Sequence, residues 1–366
     1  MTLDSMESLE KCIHTGTYST KINNPKRVWN RQQEGTFADY LSMKEGDHIY
    51  FFVQRKIYGI GKLVNIGKDC KYLNYVGADE PYDYTNHEIS NRAPLLSYGN
   101  NTNRCFCIFE PSPHFFNLGI DMDDVLGSDP DSFRILRALW KLSFIKVDDR
   151  EDKALLNIIL KRNEYYIYSG NNTFNYDKSE HTNIGKKNLE YYQLNSYRFL
   201  KSCKNGKKIN HEMAIEAAIC EMLVLDNDSL FGKWDYISHQ VIASPFKAID
   251  YMDKMDIFGY KFIEGYDTIS KYIVIEIKKD GAILDVIDQV MKYVDWVQSE
   301  YAHGDYSMIQ AFVIAESFPG DVIKKRDDEC IRYFTKGHRP TIPCMWNSVR
   351  LIRYEYLDNR LTFEEI

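Results

Sequence analysis

A strand–helix–strand pattern between residues 272 and 314 restricts the fold more than any other part of this sequence. Residues 272–277 and 309–314 are apolar runs of β-forming residues. Between them, residues 282–297 carry apolar side chains at helical spacing, which predicts an amphipathic helix. Two strands joined in this way are parallel, and their crossover is right-handed. The C-terminal part is therefore predicted to be an α/β domain with a sheet at its centre.

Charged side chains interrupt this apolar strand. Glu276 and Lys278 lie two residues apart, so both project from the same face. Asp256 stands among apolar residues where an earlier strand is expected to turn. Alone, such an Asp is usually a turn residue, and a Glu-x-Lys is usually a pair on an edge strand. In a buried central strand, however, two charges are costly without partners or a metal. The joint arrangement therefore favours an active site.

The chemistry that suits these residues is hydrolysis of a phosphodiester. Asp256, Glu276 and the carbonyl of Ile277 offer the hard oxygen ligands that Mg²⁺ or Mn²⁺ prefers. A bound metal ion can generate hydroxide near neutral pH and stabilise charge on phosphorus. Lys278, on the same face, can position or deprotonate the water. The sequence therefore predicts a metal-dependent phosphodiesterase.

The helix after this strand adds Gln289 and Tyr293, which share a face because they are four residues apart. The order Glu, Asp, Glu-x-Lys, Gln-x-x-x-Tyr resembles the PD-(D/E)XK nuclease superfamily, in particular its RecB-like and NucS-like branches. The resemblance covers about residues 209–318, with a tail to 356. It implies an α/β core with a mixed sheet, Mg²⁺-dependent cleavage of DNA, and a supporting role for Gln289 and Tyr293.

Two positions are open in this resemblance. The proline that names the motif is absent before Asp256, as in many members of the superfamily. The acidic residue that the family places on its first helix is Glu212 or Glu216. The run Ala-Ile-Glu-Ala-Ala-Ile around Glu216 is more similar to the family pattern and favours that residue.

Residues 1–148 are predicted to form a small β-barrel. A hairpin of strands at 48–53 and 57–64 is the clearest signal, and Gly59 and Gly61 mark a close approach in its second strand. Further short strands are predicted at 71–76, 104–110 and 140–147. This part resembles a PUA-like barrel of the EVE/YTH kind.

That resemblance implies a pocket that holds a flipped, modified base between aromatic rings. The aromatic residues predicted to line it are Trp29, Tyr40, Phe51 and Tyr58. The alternative for each of them is a place in the core of the barrel.

The segment 149–208 is predicted to be a helical, basic linker. Helices are expected at 151–163 and 189–200, and an exposed loop at 168–188. Net charge is about −3 for residues 1–149, +6 for 150–208 and −10 for 209–366. Cations of the connector are predicted to contact phosphates, unless it is only an exposed linker. They are Lys201, Lys204, Lys207 and Lys208.

A reader barrel beside a nuclease domain (residues 209–366) predicts a modification-dependent restriction enzyme that cuts foreign DNA. One alternative is a NucS-like nuclease for mismatch or branched-DNA repair. A second, of another class, is a catalytically inert DNA-binding or effector-sensing protein. The expected partner is double-stranded, modified DNA, and a homodimer would supply the two active sites that a double-strand cut needs.

The cysteines indicate the compartment. The eight cysteines include no CxxC pair, which favours reduced thiols. The N-terminus is polar and acidic, unlike a signal peptide. No run reaches the roughly 18 apolar residues of a membrane span. The expected location is the cytoplasm.

Overall fold

The computed structural model divides the chain into two compact units, Met1–Ser202 (unit 1) and Cys203–Ile366 (unit 2). The structure describes residues 1–21, 31–73, 95–96, 104–111, 115–133, 135–136, 143–170, 174–187, 191–225, 230–243 and 253–366.

Unit 1 combines short strands with helices. Its strands β1 to β7 are, in chain order, Thr2–Leu3, Thr17–Lys21, His48–Val53, Lys56–Leu63, Lys71–Leu73, Arg104–Pro111 and Ile120–Asp121. Its helices α1 to α7 are Met6–Thr15, Arg31–Ser42, Met122–Ser128, Asp149–Arg162, Glu164–Ser169, Ser179–Lys187 and Ser196–Ser202.

The strands of unit 1 form one sheet with the order β1-β3-β4-β6-β2, while β5 pairs with β6 and β7 with β4. The predicted hairpin is β3–β4. Gln54 and Arg55 at its turn both have left-handed backbones, with φ of 47° and 65°, as a two-residue hairpin turn of type I′ requires. The described strands form an open path that no pairing closes, so they do not form the predicted barrel. Residues 143–147 of the last predicted strand are irregular, and 140–142 lie outside the described residues.

Neighbouring side chains approach Gly59 and Gly61 of the hairpin closely, as the spacing of these glycines predicts. A Cβ at Gly59 would lie 2.8 Å from Cδ1 of Tyr50, and one at Gly61 would lie 2.9 Å from Cγ1 of Ile49. Real Cβ atoms do not approach neighbours so closely. Both positions therefore need glycine because neighbouring side chains occupy the space.

The helix α4 is part of the core of unit 1. Its residues Ala154, Leu155, Ile158 and Ile159 are buried in one cluster with Ile57 of β4. Its N-terminus is capped by Asp148, whose side chain accepts a hydrogen bond from the Glu151 N–H. The segment expected as a linker thus begins with a helix that stabilises the sheet.

Two predictions for the rest of that segment were wrong. The expected loop at 168–188 contains α6, in which His181 and Ile184, three residues apart, are buried. Burial of one narrow face is enough to hold a helix whose other residues are polar. Of the helix expected at 189–200, residues 189 and 190 lie outside the described residues, residues 192–195 are irregular, and a helix begins at Ser196.

Three of the aromatic residues predicted to hold a base lie in the interior of unit 1. Tyr40 and Phe51 are fully buried, and the ring of Tyr58 is buried against Gly119. The Tyr40 hydroxyl donates to the carbonyl oxygens of Tyr72 (2.9 Å) and Phe106 (3.1 Å). These side chains therefore serve packing, the alternative given by the sequence, and do not face an open pocket. Trp29 lies outside the described residues.

Unit 2 is built on a mixed sheet. Its strands β8 to β17 are Lys204–Asn205, Lys208–Ile209, Tyr236–Ile242, Lys254–Phe262, Ile269–Ile277, Ile309–Ala315, Arg332–Lys336, Ile342–Trp346, Val349–Leu357 and Arg360–Glu365. Its helices α8 to α10 are Glu212–Leu225, Asp285–Glu300 and Gly320–Glu329, and a 3₁₀ turn lies at Tyr306–Met308.

The main sheet of unit 2 has the order β10-β11-β12-β13-β16-β17. The pairs β12–β13 and β13–β16 are parallel, and the other pairs are antiparallel. The predicted strand–helix–strand unit is therefore confirmed as β12, α9 and β13. These two strands are apolar without alternation because they are central and buried on both faces. The last two strands, β16 and β17, were not predicted.

All eight cysteines are free thiols. Across the described ranges, no helix has the length and apolar character needed to cross a membrane.

The Tyr40 hydroxyl provides a test of the core of unit 1. Tyr40→Phe leaves two buried carbonyl groups short of a hydrogen bond, so the free energy of unfolding should fall by about 1–3 kcal/mol. Urea denaturation of the full chain measures this. Tyr168→Phe is the matched control, because this tyrosine is 82% exposed; its effect should stay within about 0.5 kcal/mol. A Tyr40→Phe variant as stable as the wild type would contradict the buried position.

Candidate active site

The pairing of β11 with β12 brings the two predicted metal ligands together. Ile257 pairs with Ile275 in antiparallel register, so Asp256 and Glu276 stand one step further along, opposite each other. Residues opposite each other in such a pair have their side chains on the same face. Asp256 is 7% exposed and Glu276 is fully buried. The Ile277 N–H donates to Oδ2 of Asp256 at 2.7 Å, which fixes this carboxylate across the strand ends.

Lys278 connects the buried carboxylates to the surface. Its ammonium Nζ donates to Oε1 of Glu276 at 2.5 Å, and its side chain is 29% exposed. The backbone N–H of Lys278 donates to the Ile314 carbonyl at 2.8 Å, which extends the pairing of β12 with β13. The sequence prediction that Glu276 and Lys278 share a face is confirmed by this contact.

The helix α8 presents both of its candidate acids to this end of the sheet. Glu216 is 2% exposed, and its charge interacts with Asp256 and Glu276. Glu212, one turn earlier, is half-buried and accepts a hydrogen bond from the Lys279 N–H at 2.9 Å. The choice between the two is therefore not exclusive: Glu216 lies beside the buried carboxylates, and Glu212 holds the chain just after Lys278.

Gln240 of β10 is a site residue that the sequence analysis missed. The pairs His239–Ile257 and Val241–Met255 place it opposite Asp256. Its Nε2 donates to Oδ1 of Asp256 at 3.3 Å. Its backbone is left-handed, with φ of 53°, a conformation that costs a residue with a side chain about 1–3 kcal/mol. No motif marks this glutamine, since its position depends on how β10 pairs with β11.

Burial dominates the electrostatics of the carboxyl groups. It raises the pKa of Asp256 to about 6, although the Ile277 N–H and the Lys278 charge act in the opposite direction. Burial, followed by the charge of Asp256, raises the pKa of Glu216 and of Glu276 well above its ordinary range. Burial alone would lower the pKa of Lys278, but Glu276 beside it produces a net rise. The charge of Lys278 thus acts on Asp256 and Glu276, and a further cation beside these carboxyl groups would favour their charged forms.

The oxygen atoms at this site fit a divalent metal ion. Oε2 of Glu216 and Oε2 of Glu276 are buried and have no hydrogen-bond partner. Mg²⁺ is commonly held by one or two carboxylates together with waters. Asp256 and Glu276 could supply two such ligands, although within the described parts of the chain no group of three or more His, Cys, Asp or Glu side chains is placed to hold a metal ion.

The predicted pair on α9 is also in place. The Gln289 amide Nε2 donates to the Tyr293 hydroxyl at 2.8 Å. Tyr293 is 2% exposed. Burial, and then the charge of Glu276, raises the pKa of Tyr293, so this hydroxyl remains protonated near the carboxylates. The pair can orient groups at the site through hydrogen bonds.

The lysines of the predicted phosphate-binding stretch are all exposed. They are Lys201, which belongs to unit 1, and Lys204, Lys207 and Lys208, which belong to unit 2. The ammonium of Lys208 forms ion pairs with Glu316 (3.0 Å) and Asp280 (3.5 Å), so its charge is partly neutralised. The ammonium of Lys204 lies 5.8 Å from the centre of the Tyr356 ring.

No family model matches the chain, and no curated protein matches it. Among solved structures, the chain is similar to the crystal structure of a repair endonuclease from Pyrococcus abyssi, at a TM-score of 0.22 and 20% sequence identity. The similarity covers 35% of this chain and 46% of that chain, so this protein spans less than half of that structure.

Because the backbone of Gln240 is left-handed, a glycine at this position should give a more stable protein than an alanine, the reverse of the usual order in a strand. Gln240→Gly and Gln240→Ala both remove the amide, but only glycine adopts this conformation without strain. The glycine variant should be about 1–2 kcal/mol more stable than the alanine variant. At Gln310 on β13, whose φ is not positive, the order should be reversed, since glycine weakens a strand. Chemical denaturation of the four variants measures both differences, and equal stability of the Gln240 pair would contradict the left-handed backbone.

Proposed function

We propose that unit 2 is a metal-dependent endonuclease domain that cleaves DNA. The observation that carries this proposal is the buried cluster of Glu216, Asp256 and Glu276, in which two carboxylate oxygens lack a hydrogen-bond partner and Lys278 is bonded to Glu276. Such burial of acidic groups is costly in a protein that needs only stability. The cost is explained if the carboxylates bind a cation that takes part in a reaction.

The residues present have definite roles in this proposal. Asp256, Glu276 and the Ile277 carbonyl would hold Mg²⁺ or Mn²⁺. When bound, the metal ion would lower the pKa of a water molecule and stabilise negative charge on the phosphate. Lys278 reaches from Glu276 towards solvent, where its ammonium can neutralise a phosphate oxygen or hold the attacking water.

The remaining polar groups act on the carboxylates and not on the substrate. Gln240 holds Oδ1 of Asp256, and the Ile277 N–H holds Oδ2. The hydrogen-bonded Gln289 and Tyr293 support the same end of the site from α9. The assignment to DNA rests on the resemblance of these motifs to the PD-(D/E)XK superfamily.

The finer part of the proposal is that cleavage depends on base modification and serves defence against foreign DNA. Its support is the resemblance of the glycine-marked hairpin of unit 1 to a PUA-like reader. The reading surface is not formed by Tyr40, Phe51 or Tyr58, which are buried. A repair nuclease with the same active site would cut without regard to modification.

Removal of the proposed ligands tests the nuclease assignment. Asp256→Asn and Glu276→Gln should each lower plasmid cleavage at least about 100-fold, because each removes charge that stabilises the transition state. Both should also weaken Mn²⁺ binding in isothermal titration calorimetry, a measurement independent of activity. Asp267→Asn, which alters an exposed acid on the β11–β12 turn, is the matched control. Full cleavage by the wild type in EDTA would overturn the metal-dependent mechanism, and an inactive wild type would favour the inert DNA-binding protein.

A panel of substrates tests the dependence on modification. The DNAs carry 5-methylcytosine, 5-hydroxymethylcytosine, glucosylated cytosine, N6-methyladenine or no modification, and initial rates of Mg²⁺-dependent cleavage are compared. A pocket that recognises one small apolar substituent should give a preference of about 10- to 200-fold. Equal rates on all five DNAs would remove the restriction assignment and leave the repair nuclease.

A further inference from the structure

Gln240 has an unusual backbone for a residue inside a strand. Its φ lies in the left-handed region, at 53°, although the pairs His239–Ile257 and Val241–Met255 continue the sheet on both sides of it. Among the described residues, the other non-glycine residues with positive φ all lie in turns. They are Gln54, Arg55, His303, Asp358 and Asn359. Strain of this kind collects at functional sites, where the surrounding structure holds it in place.

The Gln240 side chain contacts two of the three buried acids. Its Nε2 donates to Oδ1 of Asp256 at 3.3 Å. It also forms a hydrogen bond with Glu216, which acts to lower the pKa of that carboxyl group, although burial raises this pKa more strongly. A primary amide carries two N–H donors. One side chain can therefore bridge an acid of β11 and an acid of the helix α8.

This bridge complements the other donor to Asp256. The Ile277 N–H donates to Oδ2 of Asp256 at 2.7 Å, so both oxygens of this carboxylate are oriented by hydrogen bonds. Glu216 has no such backbone donor among its contacts, and its Oε2 is buried without a hydrogen-bond partner. The arrangement of Glu216 relative to Asp256 therefore depends on Gln240.

The bridge is made by a neutral group. Lys278 brings a positive charge to Glu276, with its Nζ 2.5 Å from Oε1. The amide of Gln240, in contrast, orients Asp256 and Glu216 without supplying the positive charge that a bound cation would supply. A second cation at this position would compete with a metal ion, whereas an amide does not.

We propose that Gln240 is a positioning residue that sets the affinity of the site for a divalent cation, by holding Asp256 and Glu216 in one arrangement through an uncharged bridge. This inference rests on the metal site of the proposed function. Residues that hydrogen-bond to metal ligands orient those ligands, and their loss commonly weakens metal binding about 10- to 100-fold. The left-handed backbone of Gln240 is retained because it directs the amide to both acids.

Binding of Mn²⁺ to the full chain without DNA, measured by isothermal titration calorimetry, tests the proposal. Gln240→Ala and Gln240→Gly both remove the amide, so each should weaken Mn²⁺ binding about 10- to 100-fold. The two affinities should be equal, although only the glycine variant is free of backbone strain. If Gln240 served the fold alone, relief of that strain would instead let the glycine variant bind Mn²⁺ as the wild type does.

Gln240→Lys tests whether the bridge must be neutral. Lysine donates hydrogen bonds over a similar reach, but its charge competes with the metal ion, so Mn²⁺ should bind more weakly than to Gln240→Ala. Gln310→Ala is the matched control, because Gln310 pairs with Ile273, three residues before Glu276, and its loss should leave Mn²⁺ affinity unchanged. Circular dichroism of each variant separates loss of binding from loss of folding.

Four results would decide against some part of this inference. Wild-type Mn²⁺ affinity in Gln240→Ala, or in Gln240→Gly alone, would overturn the positioning role and leave the nuclease intact. Tight Mn²⁺ binding by Gln240→Lys would show that a charged donor serves equally well, which contradicts the neutral bridge. A wild type that binds Mn²⁺ but does not cleave DNA would reject the nuclease and keep the role of Gln240. A wild type that binds no Mn²⁺ would reject both.

Discussion

The antiparallel pairing of β11 with β12 is the constraint on which the candidate site depends. It sets Asp256 opposite Glu276 and brings the Ile277 N–H to the Asp256 carboxylate at 2.7 Å. A shift of this register by one residue would move each side chain to the other face of the sheet. The apolar runs on both sides prevent such a shift, because Ile257 and Ile275 must stay buried. Hydrophobic burial thus fixes the positions of the charged groups.

Burying several carboxylates at this site costs free energy, and the surrounding sheet offsets that cost. Buried carboxylates repel one another, and Lys278 places a cation in contact with Glu276. The strands β12 and β13, buried on both faces, stabilise the sheet, and α8 and α9 hold further polar groups at its end. Glu216 and Tyr293 reach the carboxylates from these two helices. The apolar residues that stabilise the sheet and the buried carboxylates that destabilise it are therefore neighbours in the same strands.

Unit 1 shows where sequence patterns fail. The hairpin β3–β4 was predicted correctly, because its turn and its two close-packed glycines act locally. The loop predicted at 168–188 was wrong, and three of the four aromatic residues predicted to line a pocket are buried in the interior, for one shared reason. Burial of His181 and Ile184, or of Tyr40, depends on surfaces supplied by distant parts of the chain. An aromatic residue in a strand has the same local sequence whether it faces a core or a ligand.

The sequence by itself determined the strand–helix–strand unit, the shared face of Glu276 and Lys278, and the spacing of Gln289 and Tyr293. These features depend on the periods of single strands and helices, which neighbouring residues fix. Tertiary structure decided the rest. Only strand pairing places Gln240 opposite Asp256, and only the packing of α8 brings Glu216 to the carboxylates. Only the contacts of Arg332 and Trp346 hold β14 against α9 and β15 against the start of β13. The physical reason is that these contacts join residues far apart in the chain, where no local period relates one residue to the other.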